Sequence, residues 1–539
     1  MLGMVISVSS FAATGQSKGA EAAGPPVAPP AAKAEATFDI TEFRVLGTKV
    51  LPQTAIEKAV YPFLGPNRTI ETVKQAADAL EKAYKDAGYS AVFVDIPEQQ
   101  VADGLVRLKV TEGKLESVHV RGERYYSRRQ ILAALPALEQ GSSPSFPALQ
   151  KELTELNART PDRVVTPVLK AGSEPGSVDV DLDVKDKLPL QGFVSYDDRH
   201  TADTTPNRAT VGLSYDNLWG RQDTFGLMYQ TAPANTSDAE VLIANYLGHI
   251  GSGDSEAALS YTRTYSNVLA LGTLGVLGKG SIYGAHWLKP IDSSATGSQN
   301  LNLGADYKDV LTSVLPDSNG SASSTTPGAV TAPVKYVNWS AVYSGNRARG
   351  AFLYSASLGF NVGVRGLINS SDQFENARYN AYPNYFYVRM GFGATQPLPW
   401  GLAFQERLSA QWSDSPLVNN EQFSLGGVDT VRGYLEAEAL GDSGATGGVE
   451  LHSPPLGPHV GSFFAPLYFF VFVDGGVATL IDALPGQHEN ITLWSRGFGV
   501  RLDNPQGISG YLDYAVPERA GVRTLKDDSR IDFSLRYSF

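Results

Sequence analysis

The last ten residues, RIDFSLRYSF, alternate without a break. Side chains on a strand point to opposite sides in turn. Ile531, Phe533, Leu535, Tyr537 and Phe539 therefore share one face, and Arg530, Asp532, Ser534, Arg536 and Ser538 share the other. An apolar face without a charge, opposite a face with two arginines and an aspartate, is what a strand with lipid outside and water inside requires. A soluble sandwich strand also alternates, but it seldom ends a chain on an exposed aromatic. No run reaches the ~18–20 apolar residues of a transmembrane helix. The longest, FFAPLYFFVFV (463–473), is interrupted by Pro466. The chain is thus soluble, or it crosses a membrane as a closed barrel, the other way to satisfy backbone polar groups in lipid.

The texture of the tail extends back to Leu188. Helical periodicity is absent there, and short alternating segments are separated by Gly, Asn, Asp, Ser and Pro clusters. ISGYLDYAV sets Ile508, Leu512, Tyr514 and Val516 against Ser509, Tyr511 and Asp513. WSRGFGVRL sets Trp494, Phe498, Val500 and Leu502 against Ser495, Gly497, Gly499 and Arg501, with Arg496 as an exception that marks a membrane interface. Gly220-Arg221 forms a short turn between two such segments. Trp219, Tyr229, Trp287, Trp400 and Trp494 lie near segment ends, where aromatic girdles sit. Residues 314–334 have the composition of a long solvated loop. About 350 residues at ~10 per membrane strand, plus turns and loops, predict 14–18 strands, with 16 the best even number.

The first part reads differently. MLGMVISVSSFAA resembles a truncated signal peptide without its basic region (1–14), and 15–36 is an Ala/Pro-rich linker. From Phe38 the pattern is strand, short helix, long helix, strand, strand. Ile70, Val73, Ala76, Ala77, Leu80, Ala83 and Tyr84 form the apolar stripe of the long helix. Thr69 is its N-cap, but Thr72 stands where a capping box wants Glu or Gln, so the box is incomplete. Gly88 closes it. The same order repeats about 75 residues later, a duplicated small domain rather than a solenoid repeat. Asp179, Asp181 and Asp183 alternate with apolar residues, which places them on the solvated face of a strand rather than in a metal site.

Composition narrows the function. Cys is absent, which removes disulfides, thiolate metal sites and thiol nucleophiles. A net charge of −12 argues against nucleic acid as a partner. Seven His are scattered without metal spacing, and no G-x-S-x-G or H-E-x-x-H motif appears, so neither catalysis nor a cofactor is expected.

The functional signal is a long Gly-rich loop, EQFSLGGVDTVRGYLEAEALGDSGATGG (421–448), containing Val431-Arg432-Gly433-Tyr434. The strand after it carries Phe472-x-Asp474-x-Gly476. Alternation puts Phe470, Phe472 and Asp474 on one face, and an Asp in so apolar a run needs a cation or open water.

These motifs, with the repeat upstream and the terminal aromatic strand, resemble the outer-membrane transporters of two-partner secretion (the TpsB family), in the haemolysin secretion/activation branch, from about Phe38 to Phe539. LNARTPDRVVTPVLKAGSEPGSVDVDLDVKDKLPL and TTPNRATVGLSYDNLW carry that branch's likeness. The resemblance implies a mainly β protein: two periplasmic α+β POTRA domains (β-α-α-β-β; 37–113 and 114–187) and a 16-stranded antiparallel transmembrane barrel (188–539). It implies that the POTRA domains bind an unfolded partner exoprotein, large and β-helical, which leaves through the pore. It also implies that the loop tucks into the barrel, with Arg432 paired to Asp474, Gly433 turning the backbone and Tyr434 packing it. The implied location is a Gram-negative outer membrane, with lipid, the barrel-assembly machinery and periplasmic chaperones as further partners. Many family members begin with a helix that plugs the pore. Pro25, Pro26, Pro29 and Pro30 forbid a long one here, so either the true start lies upstream or closure rests on the loop. Two other readings stay open: insertion of other barrels into the outer membrane, and a diffusion porin with periplasmic adaptors. Two POTRA-like units rather than a longer string favour secretion.

Overall fold

The structure is a computed structural model and describes residues 36–539 except 90, 102, 174–176, 203, 252, 266–267, 272–273, 278, 314–330 and 458–459. The expected signal segment and nearly all of the linker lie outside the described residues. So does most of the expected loop 314–334, whose last four positions belong to a strand instead.

The N-terminal set comprises β1 (Glu42–Leu46), α1 (Gln53–Val60), α2 (Ile70–Asp86), β2 (Val92–Asp95) and β3 (Leu105–Glu112). β3 is central, parallel to β1 and antiparallel to β2. The α2 stripe (Val73, Ala76, Ala77, Leu80, Tyr84) is buried, largely in a core shared with Ile40, Val92, Val106 and Leu108. The capping box of α2 is filled after all. Thr69 N–H donates to the Thr72 hydroxyl at 3.5 Å, a short group standing in for Glu.

The second set comprises β4 (Lys114–Arg121), α3 (Arg128–Ala133), α4 (Phe146–Ala158), β5 (Arg163–Ala171) and β6 (Ser177–Asp186), with sheet order β4-β6-β5. The chain packs as two compact units, and the division runs through this set: residues 120–136, 153–167 and 182 onward go with the barrel. One expectation fails here. Asp181 is buried and ion-paired to Lys170 at 2.6 Å, and Asp179 is half-buried and accepts from Ser117 at 2.6 Å; Asp183 is exposed.

The duplication recurs in detail. Gly47 (φ +90°) and Gly122 (φ +87°) each bring the chain against a β-strand carbonyl, of Val110 and Val184, where a Cβ would come within 2.3 and 2.5 Å. After each turn a carboxylate gathers backbone N–H groups. Glu112 accepts from Lys49 (2.6 Å) and Val50 (3.0 Å), and Asp186 from Arg124, Tyr125 and Tyr126 (2.9, 2.8 and 3.1 Å). Burial draws the Asp186 carboxyl upward, but the three N–H groups outweigh it and hold it below its ordinary value. Its contribution is present above the ordinary carboxylate pKa and is lost as pH falls through the folded value. Asp186→Asn sets an amide against three donors, and limited proteolysis in opened membranes should cut the second set sooner than in the native chain.

From Leu190 onward, among the described residues, sixteen strands form a closed barrel. They are β7 (Leu190–Asp197), β8 (Arg208–Leu218), β9 (Asp223–Thr231), β10 (Glu240–His249), β11 (Glu256–Thr264), β12 (Lys279–Ser294), β13 (Gly297–Ser313) and β14 (Thr331–Arg349). After β15 (Phe352–Gly363), a short helix, α5 (Ser371–Ala377), interrupts the series. It resumes with β16 (Phe386–Pro397), β17 (Ala403–Ser413), β18 (Ser443–His452), β19 (Tyr468–Thr479), β20 (Asn490–Asp503), β21 (Ile508–Pro517) and β22 (Arg530–Ser538). Each strand pairs antiparallel with the next, and β22 closes on β7. Alternation sorts the faces: on β19, Val471 and Val473 are 54% and 47% exposed, while Phe472 and Asp474 are 3% and 0%. Arg496, on the outer face, reaches Glu518 at 2.6 Å. The helix α5 was not expected, because seven residues in a polar loop carry no readable periodicity. Residues 443–448 correct the loop boundary. They are strand β18, and their glycines mark close approach rather than a turn.

Candidate functional site: a loop held inside the barrel

Residues 414–442 connect β17 to β18, and within them 422–442 turn back on themselves. Phe423–Leu425 pairs with Ala439–Gly441, making a short hairpin that holds the segment between. Phe423, Leu425, Val431, Tyr434 and Ala439 pack with Ala478 of β19 and Leu493 of β20. Both wall residues share parity with inward positions Asp474 and Ser495, so this small core lies inside the barrel.

Arg432 and Asp474 are each fully buried. Arg432 Nε donates to Asp474 Oδ2 at 2.6 Å and Nη2 to Oδ1 at 3.0 Å, a two-point contact. The Arg432 backbone N–H adds a third, at 3.3 Å. Nη1 lies 2.7 Å from Glu450 Oε1, an ion pair outside hydrogen-bond angle, and 3.7 Å from Asp513 Oδ2. The Phe472 ring lies 3.5 Å from the guanidinium carbon and covers its face. The FxDxG strand thus supplies both a carboxylate and a cation–π platform. Asp474, Glu450 and Asp513 set three carboxylates around one guanidinium.

Gly433 has φ +85°, and a Cβ there would lie 3.0 Å from Ala515 Cβ on β21. Tyr434 donates its hydroxyl to the Arg519 carbonyl at 2.6 Å, with the Trp494 carbonyl 3.0 Å away. Gly476 leaves room for Leu425, whose Cδ1 would be 2.4 Å from a Cβ. The structure therefore brings together Val431, Arg432, Gly433, Tyr434, Phe472, Asp474 and Gly476. Leu535, Tyr537 and Phe539 lie on the outer face of β22, away from this cluster, with Phe533 on the same parity. Tyr434→Phe removes the hydroxyl that serves the Trp494 and Arg519 carbonyls and should cost about 1 kcal/mol of loop attachment. Faster trypsin cleavage at Arg432 or Arg519 in the folded barrel would register it.

Sequence reasoning missed much of what holds the loop. Arg407 of β17 reaches Asp474 at 2.8 Å and donates to the loop carbonyls of Val428 (3.0 Å) and Thr430 (3.1 Å). The space for that guanidinium is Gly448, where a Cβ would lie 2.2 Å from Asp474 Oδ1 and 2.7 Å from Arg407 Nε. Arg199 pairs with Glu436 at 3.0 Å and also with Asp429. Glu438 accepts from the N–H groups of Arg523 and Thr524 at 2.6 and 2.7 Å. The acids of EAEALGD stood out in a Gly-rich loop and were the available signal.

Residues 176–502 match the haemolysin secretion/activation protein family ShlB/FhaC/HecB, and residues 38–113 match the POTRA domain of ShlB type. The chain belongs to the ShlB/FhaC/HecB family. It is an outer-membrane transporter of two-partner secretion, with its POTRA part in the periplasm. The outer membrane transporter CdiB of Dickeya dadantii is 25% identical over 497 residues, 86% of this chain and 80% of that protein. CdiB of Escherichia coli O6:K15:H31 is 22% identical over 500 residues, 89% and 79%. Among solved structures, CdiB from Escherichia coli aligns with TM-score 0.57 at 17% identity, covering 95% of this chain and 92% of that one. BamA from Haemophilus ducreyi lacking POTRA domains 1–3 aligns equally well, TM-score 0.57 at 15% identity, covering 93% and 100%. At such identities the structures share a fold with this family member and no more. The family match, not the barrel, separates secretion from barrel assembly.

Proposed function

We propose that the inward loop 422–442 is the closure of the secretion pore, held shut by Arg432 on the carboxylates of β18, β19 and β21. The burial of Arg432 against three acids of the barrel wall carries this reading. A charge placed there is held by its partners alone, so it can be released without unfolding the barrel ladders. The POTRA sheets capture an unfolded exoprotein by strand addition. In support, β1 and β2 are the edges of the first sheet and β4 and β5 those of the second, and β5 shows exposed Val164 and Val168. Barrel-assembly machinery and periplasmic chaperones receive the chain through β22, whose Leu535, Tyr537 and Phe539 face outward. Transport needs no cofactor in this reading.

The test compares surface and medium proteins of the host with and without this gene. Loss of one large exoprotein, restored by the gene in trans, is the expected result. A general fall in outer-membrane proteins would favour assembly. A change confined to small-solute permeability would favour a porin.

A further inference from the structure

With Arg432 fastened to β18, β19 and β21, the loop leaves room on the other side of the barrel. A cavity of about 770 Å³ lies between loop residues such as Gln422 and Ser424 and the inner wall of β13–β17. Asn300, Ser357, Gly391 and Ser409 line it. Chain alternation puts the connection between β15 and β16 at the end of the barrel away from Leu190, hence the outer end. That connection, residues 364–385, carries α5.

α5 does not stand in solvent. Phe374 and Ala377 are buried in one cluster with Val310, Val334, Tyr336 and Tyr387. Those four share parity with inward residues, because their strand neighbours Leu311, Trp339 and Met390 are exposed on the outer face. The Tyr336 and Phe374 rings meet edge-on, 5.4 Å between centroids. The helix thus sits within the outer mouth, against the wall that lines the cavity below.

A buried carboxylate at each foot of the loop holds it near this segment: Glu421 binds the wall against which α5 packs, and Asp442 binds the segment itself. At the first foot, Glu421 accepts from Lys308 Nζ (2.5 Å), Tyr336 OH (2.6 Å) and Tyr387 OH (2.6 Å). At the second foot, Asp442 takes both ends of the Arg378 guanidinium, at 2.5 and 2.7 Å. Arg378, the residue after α5, also donates to the carbonyls of Leu417 (2.9 Å) and Ile481 (3.0 Å). Asp442 further accepts from the N–H groups of Leu417 (2.9 Å) and Ile481 (2.7 Å). None of these contacts involves Arg432 or Asp474, so releasing the tip of the loop leaves α5 in place.

We infer that residues 364–385 are a second, outer closure of the pore, in series with the loop, with Arg378–Asp442 as its catch. It opens for an extended segment of the exoprotein that travels along the β13–β17 wall. This rests on the reading of the pore as the exoprotein's path and of the loop as its inner closure.

The chain has no cysteine, so an engineered pair is free of background. Lys335 N–H donates to Gln373 Oε1 at 3.0 Å, which places α5 beside β14. Tyr336 faces inward against Phe374 of α5, so Tyr336→Cys with Phe374→Cys, joined in cells by a short reducible thiol crosslinker, should stop secretion, and reduction should restore it. Arg378→Ala, with Arg432 untouched, should give more frequent channel openings in planar bilayers at normal heat-modifiable mobility. Crosslinked protein that secretes as fast as the reduced form would overturn the inference, as would an Arg378→Ala channel indistinguishable from native. Arg432→Ala, run alongside, separates the two readings. If it alters transport while the crosslink is silent, only the outer closure is wrong; if it too is silent, the loop-closure reading fails first.

Discussion

Arg432→Ala should free the loop and leave the channel open more often, while the barrel accumulates at its normal level. Breaking a buried ion pair by removing one partner costs roughly 3–5 kcal/mol, enough to move the loop from held to free by a hundredfold or more. The sixteen-strand ladder does not depend on that contact, so heat-modifiable mobility should be unchanged. The surroundings predict an asymmetry between the partners. Without Arg432, Glu450, Asp474 and Asp513 face a loop that no longer brings a cation. Without Asp474, Arg432 still has Glu450 at 2.7 Å. Asp474→Ala should therefore be the milder single variant, and the double variant little worse than Arg432→Ala, because both act on one contact. Immunoblots of secreted partner and single-channel recordings read both effects. Equal effects of the two single variants would mean that Glu450 adds nothing.

Deleting Phe539 should sharply lower the amount of folded barrel. The seam between β22 and β7 has five registered pairs, from Ser534↔Asp197 to Ser538↔Phe193, fewer than any other strand pair in the barrel. Phe539 extends it by a reciprocal pair with Gly192: its N–H donates at 2.9 Å, and the Gly192 N–H donates back to its carbonyl at 3.0 Å. Its ring fills the space over Gly192, where a Cβ would lie 2.5 Å from Cζ. Removal shortens the weakest ladder and strips an aromatic from the lipid face. Gly192→Leu attacks the same contact from the other strand and should act in the same direction. Loss of the heat-modifiable band measures both, and unchanged yield in both would show that the seam does not depend on its last pair.

The barrel was legible because each strand encodes its own two faces. RIDFSLRYSF and FVFVDGG could be sorted residue by residue, and the Asp474 side was evident from Val471 and Val473. The Arg432–Asp474 pair came from a resemblance, not from spacing. Its other partners were illegible for a physical reason. Arg407, Glu450 and Asp513 meet Arg432 or Asp474 only through strand register and barrel closure, which alternation does not fix. The Gly447-Gly448 pair read as loop because glycine signals a turn and a close approach alike. Here the approach is that of Asp474 and Arg407. α5 and the buried Glu421 were hidden because a seven-residue helix and a single acid in a loop have no pattern until the wall they pack against is known.

The central claim is that the loop must leave the wall for transport to occur. A disulfide needs Cβ atoms about 3.5–4.5 Å apart. A Cβ on Gly433 would lie 3.0 Å from Ala515 Cβ, so a small retreat of the loop admits the bond. Gly433→Cys with Ala515→Cys, in a chain with no other cysteine, can fasten the loop tip to β21 covalently. Each single cysteine variant controls for strain at the left-handed position. Secretion rate is then measured on the same cells, oxidised and reduced. The account predicts none while the bond is intact and recovery on reduction. Secretion at the same rate in both states, with the bond verified in the folded barrel, would contradict it.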